Sequence, residues 1–238
     1  MSETPTLAPP GAGLPKAEAF LVRHLIFPVL RLQLSRQKSD DLFRKSGDEI
    51  LTLVAPLDLE QLQSPVLIKR LPGMEDSSRF WSVEQTLEHI QIAAGGILFI
   101  IRQLELGRPL DLIVRTEDLK PSGGLGLDRV RAFREFREEI PQTLSRYSFA
   151  SPATHFHPWF GDLRSLDWFR LMAFHQNLHR KQIRLILRGL KGEMAAYARL
   201  LRSKLKGFVS DAARRSSGAG QCAQKPPRSV SSHPHSLS

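Results

Sequence analysis

His175 and His179 stand four residues apart in the run WFRLMAFHQNLHRKQI, residues 168–183. On a helix that spacing puts both imidazoles on one face. The apolar stripe of the same helix is Trp168, Leu171, Met172, Phe174, Leu178, Ile183 and Ile186. The two histidines and Gln182 fall beside or within it, so they are expected to point inward. Imidazoles directed into a protein need partners for their nitrogens. A divalent metal is one such partner, and the zinc helices of metalloproteases use this spacing. Those helices place a glutamate directly after the first histidine. Here Gln176 stands in that position, which excludes the zincin motif.

Helical periodicity dominates the rest of the chain, and no strand-like alternation is sustained beyond a few residues. A first helical segment runs from about Lys16 to Val54, with Pro28 expected to bend or divide it. A proline-rich linker, 55–79, follows. Ser82-Val-Glu-Gln85 reads as a capping box that opens a second helix; Gly107 and Pro109 end that helix after about Leu106. The Pro/Gly-rich loop 108–126 leads to a third helix, about Leu127–Tyr147. A second loop, 148–164, leads to a fourth helix from Ser165 to about Leu190. Four long helices without a sheet predict an all-α, up-down four-helix bundle over residues 16–190. Residues 1–15 and the end of the chain carry too few apolar residues to offset ordering entropy and are expected to be disordered. The tail, 191–238, is basic, and Met194–Val209 could form an amphipathic helix within it.

The net charge of +10 sits mostly in that tail. Residues 191–238 hold nine Lys and Arg against Glu193 and Asp211, a net +7, which leaves +3 for residues 1–190. The single cysteine, Cys222, permits no disulfide within the chain and agrees with a reducing compartment. No basic-then-apolar leader opens the sequence. The most apolar run, Ile97–Ile101, is far short of the ~20 residues needed to span a bilayer. These features predict a cytoplasmic protein with no membrane partner.

His89 lies two turns into the second helix, bordering the apolar face set by Leu87 and Ile90; by itself it reads as a packed or edge histidine. In context it belongs to a longer pattern. WSVEQTLEH (residues 81–89) is followed by HPWFG (157–161), Trp168, His175-x-x-x-His179 and Gln182-Ile183. This pattern resembles the DinB/YfiT-like superfamily over about residues 16–190. The resemblance implies a four-helix bundle holding one metal through three histidines, here His89, His175 and His179. Characterised members of that superfamily include thiol-dependent enzymes that use bacillithiol, mycothiol or similar small thiols. The resemblance therefore implies a low-molecular-weight thiol cosubstrate, and an S-transferase or hydrolase acting on a small electrophile.

Three imidazoles leave one coordination position open for water or substrate, whereas a structural zinc site normally closes with a fourth protein ligand. Imidazole suits Zn, Ni, Cu or Fe, so the sequence does not choose the metal. Gln85, Gln182 and His157 are candidates to orient a ligand or touch a substrate, the plainest role for His157 being loop packing. Glu84 and Glu88 read as a solvated helix face or, alternatively, as acid/base groups. Gly123-Gly124-Leu125-Gly126 follows no strand and reads as a flexible turn. No residue is assigned a catalytic role. Two other classes stand beside the enzyme: a non-catalytic bundle with a structural or vestigial metal site, and an anionic-surface or nucleic-acid binder acting through Lys191–Arg228. The basic stretch has no regularly interleaved aromatics, which favours a solubilising extension. A homodimer formed through an exposed apolar face is a further option.

Overall fold

Side-chain caps mark where several of the helices begin. Ser35 accepts from the Lys38 N–H at 3.2 Å. Asp58 with Gln61, and Ser82 with Gln85, close complete capping boxes. The helices that follow are α1 (Lys16–Leu21), α2 (Phe27–Gln33), α3 (Arg36–Val54), α4 (Leu59–Gln63), α5 (Val83–Glu105), α6 (Leu127–Leu144) and α7 (Ser165–Gly218). The computed structural model describes residues 6–108, 110–113 and 115–218. The end of the basic tail, with Cys222, His233 and His235, lies outside the described residues, as do residues 1–5. Residues 1–192 and 193–238 form separate units. Within the second, the chain is helical through 194–209 and on to Gly218. No helix among the described residues is long and apolar enough to cross a membrane.

Two expectations about local structure change. The division of the first helical segment falls at Leu34, whose backbone is extended (φ −98°, ψ 93°), and not at Pro28. Pro28 occupies the first turn of α2, directly after a π-helical turn at Val22–Ile26. The helix runs without a break from Lys16 to Gln33, and the π-helical turn ahead of Pro28 takes up the missing N–H. The loops also contain two small antiparallel ladders. β1 (Val66–Leu67) pairs with β2 (Phe80–Trp81), and β3 (Thr154–His157) pairs with β4 (Gly161–Arg164). In β3, His155 and His157 are buried while Phe156 is exposed. That alternation is too short to stand out against the helical pattern around it.

The four-helix bundle is formed by α3, α5, α6 and α7. Each contributes to two buried clusters. One gathers Phe43, Ile100, Ile140 and Trp168; the other gathers Ile50, Leu87, Phe133 and Ile183. The order in which each helix visits the clusters gives its direction. α3 and α7 pass from the first to the second, and α5 and α6 pass from the second to the first. Strict alternation is therefore broken at one step, because α5 and α6 run parallel. Ion pairs agree: Arg129 at the start of α6 meets Glu88 near the start of α5, at 3.3 Å.

Parallel neighbours require a connection that returns the full length of a helix. α5 has 23 residues, or about 35 Å at the α-helical rise. The segment 106–126 is long enough to span that distance in extended form. Two acidic residues of α5 hold its far end. Glu84 accepts from the Leu125 and Gly126 N–H groups at 2.5 and 2.6 Å. Glu88 accepts from the Gly123 N–H at 2.6 Å and from the Ser122 hydroxyl at 2.9 Å. Both carboxylates are buried, not on a solvated face as the sequence suggested. Gly123, Gly124 and Gly126 all have positive φ, which explains the glycine cluster at this turn.

The N-terminal side of the bundle is tied to the loop before β2. In the segment 6–15 the Ala8 N–H donates to Asp76 at 2.9 Å, and the Gly13 N–H donates to Glu75 at 3.2 Å. Glu18 of α1 pairs with Arg70.

Candidate metal centre

The return segment 106–126 has a second consequence, because it crosses α5 at His89. The Leu119 carbonyl lies 2.7 Å from His89 Nδ1. A carbonyl only accepts, so His89 carries its proton on Nδ1 and presents a lone pair at Nε2. His179 is fixed in the same way. Its Nδ1 lies 2.6 Å from Gln182 Oε1, and Gln182 Nε2 donates to the Ser78 carbonyl at 2.7 Å. The Ser78 contact sets which end of the amide faces His179. His179 therefore also presents an Nε2 lone pair.

Both lone pairs are directed at the third histidine. His89 Nε2 and His179 Nε2 lie 3.1 and 3.0 Å from His175 Nε2. One N–H on His175 Nε2 can satisfy only one of them well. The three residues offer ligand atoms that all lie within 4.8 Å of one another. Metal–nitrogen bonds of about 2 Å in a tetrahedron would separate ligand nitrogens by roughly 3.3 Å. The donor set fits a cation better than it fits a set of mutual hydrogen bonds. Burial reinforces this by opposing protonation. His89 is pushed down to about 4, chiefly by desolvation. His175 and His179 are held well below the ordinary histidine value, first by burial and then by their neighbouring imidazoles. Neutral imidazole is the form that coordinates metal.

The histidines open onto a cavity of about 230 Å³. Its walls are largely apolar, including Ile97, Ile100, Leu112, Phe160, Trp168 and Leu171. Trp81 packs against the ligand rings, 4.9 Å from His89 between centroids. Polar side chains also border this space, Glu75 and Lys120 among them. Glu75, buried in the loop before β2, accepts from Thr116 Oγ1 at 2.9 Å. Lys120, half-buried in the return segment, donates from Nζ to Ser77 Oγ at 2.7 Å.

The sequence candidates fall into four positions. His89, His175 and His179 converge. Gln182, fully buried, touches His179 directly. His157 lines the same cavity, with its Nδ1 accepting from the Trp159 N–H at 3.1 Å. Burial lowers its pKa to about 3. Gln85 sits apart from the ligands and caps α5, its side-chain oxygen accepting from the Ser82 N–H at 3.0 Å. Lys120, Glu75 and the carbonyls of Leu119 and Ser78 were not singled out by sequence reasoning. The carbonyls left no signal there, since any residue type provides one. Lys120 sits in a loop whose return path could not be read from local pattern.

A family model described as the DinB superfamily matches residues 42–183. No curated protein sequence matches the chain. Among solved structures, the chain is similar to TT2238, described as a four-helix bundle protein. The two share 20% identity over 63% of this chain and 98% of that one, with a TM-score of 0.47.

Proposed function

The chain belongs to the DinB superfamily, and from that premise we propose that it is a metal-dependent enzyme acting on a small molecule. One observation carries the reading: two imidazoles with fixed tautomers aim their Nε2 lone pairs at a third, 3.0 and 3.1 Å away. His89, His175 and His179 would hold one divalent metal, of which Zn, Ni or Fe suit three imidazoles. When bound, such a metal supplies Lewis-acid activation of a water or thiol at the position left open by three protein ligands.

The residues around it act in different ways. Leu119 and Gln182 hold the outer nitrogens of His89 and His179, which fixes both rings and raises their basicity. The apolar walls exclude water from the bound substrate and strengthen polar contacts inside the cavity. Trp81 closes the side of the ligand cluster. The reaction is read as thiol-dependent S-transfer, or hydrolysis, on a small electrophile, with a low-molecular-weight thiol as cosubstrate. A reducing, cytoplasmic setting suits that chemistry, since it keeps the thiol free.

The test is a comparison of wild type with H175A. Purified wild type should carry about one transition metal per chain and process thiol–electrophile pairs or hydrolysable substrates in a broad screen. H175A should lose both. Metal uptake without any activity would favour a bundle whose metal is structural.

A further inference from the structure

Lys120 is half-buried and lines the cavity that holds the three histidines. Its Nζ makes one hydrogen bond, to Ser77 Oγ at 2.7 Å, and lies 5.4 Å from the centroid of the Trp81 ring. An ammonium has three donors, so most of its capacity is not spent on the protein. The nearby acid, Glu75, is already occupied. Its two oxygens accept from Thr116 Oγ1, the Gly11 and Gly13 N–H groups and Ser77 Oγ. Among the described residues, Lys120 and Glu75 form no ion pair. Arg115 and Asp118 also border the cavity; both are exposed and of opposite sign. Burial against the apolar walls disfavours the ammonium more than Glu75, acting at a distance, favours it, which leaves a place for a second anion.

We propose that Lys120 is the anion-binding residue of this cavity, and that the substrate is a small, largely apolar molecule bearing a carboxylate. The carboxylate pairs with the Lys120 ammonium. The apolar body lies against Ile97, Ile100 and Leu171, within reach of the three histidines. This deepens the enzyme reading by naming a substrate class, and its test does not depend on metal or turnover.

The probes are 3-phenylpropanoate and its uncharged amide, titrated by calorimetry into metal-free and metal-loaded full-length protein. Wild type should bind the carboxylate at least tenfold more tightly than the amide in both forms. K120M should lose that preference while binding the amide as wild type does, and K120R should retain most of it. Metal content of each variant, measured in parallel, should be unchanged. Amide binding also reports that K120M is folded, and K120R guards against loss of fold in the neutral variant. Equal affinity for the two probes in wild type, no detectable carboxylate binding, or an unaltered preference in K120M overturns the proposal. A preference confined to the metal-loaded form also overturns it, because the metal and not Lys120 would then hold the carboxylate. Loss of metal in H175A with the preference intact separates failure of the metal reading from failure of this one.

Discussion

Gln182 Oε1 lies 2.6 Å from Nδ1 of His179, and the contact decides which nitrogen of His179 faces the cavity. Gln182 can do this because its own amide is oriented by the Ser78 carbonyl. The chain Ser78–Gln182–His179 links the loop before β2 to the ligand cluster through buried hydrogen bonds.

Replacing Gln182 with leucine keeps similar bulk but removes the acceptor. Loss of such an orienting partner typically lowers metal affinity by about 10–100-fold. Q182L should therefore bind zinc more weakly in a competition titration with a chromogenic chelator. Unchanged affinity would mean that the ring is held by packing alone.

Metal should also stabilise the fold, since the site assembles residues from α5 and α7 that are distant in sequence. A metal present at 100 times its dissociation constant adds about 2.7 kcal/mol to folding. Thermal unfolding of wild type should shift upward on zinc addition, and that of H175A should not. Equal shifts in both proteins would place the bound metal elsewhere.

The buried histidines give the metal-free protein a defined pH response. Desolvation lowers His89 to about 4 and His157 to about 3 from an ordinary value of 6.5. As pH falls below about 6.5, the unfolded chain takes up protons that the folded one refuses. Stability is thus fully present above about 6.5 and is lost progressively as pH falls, towards about 4 for His89 and about 3 for His157. The urea midpoint of the metal-free protein should fall between pH 7.5 and 4.5. A flat profile over that range would contradict the burial of these rings.

Glu84 fastens the return segment through two backbone N–H groups. In E84A the buried Gly126 N–H and the part-buried Leu125 N–H lose their acceptor, at about 1–3 kcal/mol for the buried donor and less for the other. Urea unfolding should register a loss of about 2–4 kcal/mol. Amide exchange at Leu125 and Gly126 should accelerate, and zinc affinity should drop because the same segment brings Leu119 to His89. Protection at both amides equal to wild type would show that another contact carries the segment.

Much of this was legible in the sequence. The spacing of His175, His179 and Gln182 put them on the inner face of one helix, and the Ser82–Gln85 box located the head of α5. The four helices followed from period and punctuation. What escaped was the direction of α6. Local pattern is the same for either direction, and only the length of the 106–126 connection hinted at a parallel return. That path determines which backbone carbonyl meets His89 and brings Lys120 to the cavity. Glu84 and Glu88 were misread for the same reason, since their partners come from that segment. The break at Leu34 was misplaced because the helix passes through Pro28 by way of a π-helical turn.

Elemental analysis of the purified protein beside the H89A/H175A/H179A variant addresses the metal centre most directly. The proposed site predicts close to one transition-metal ion per wild-type chain and none in the triple variant, with both proteins folded by circular dichroism. Equal metal content in the two, or none in wild type after zinc loading and desalting, would contradict it.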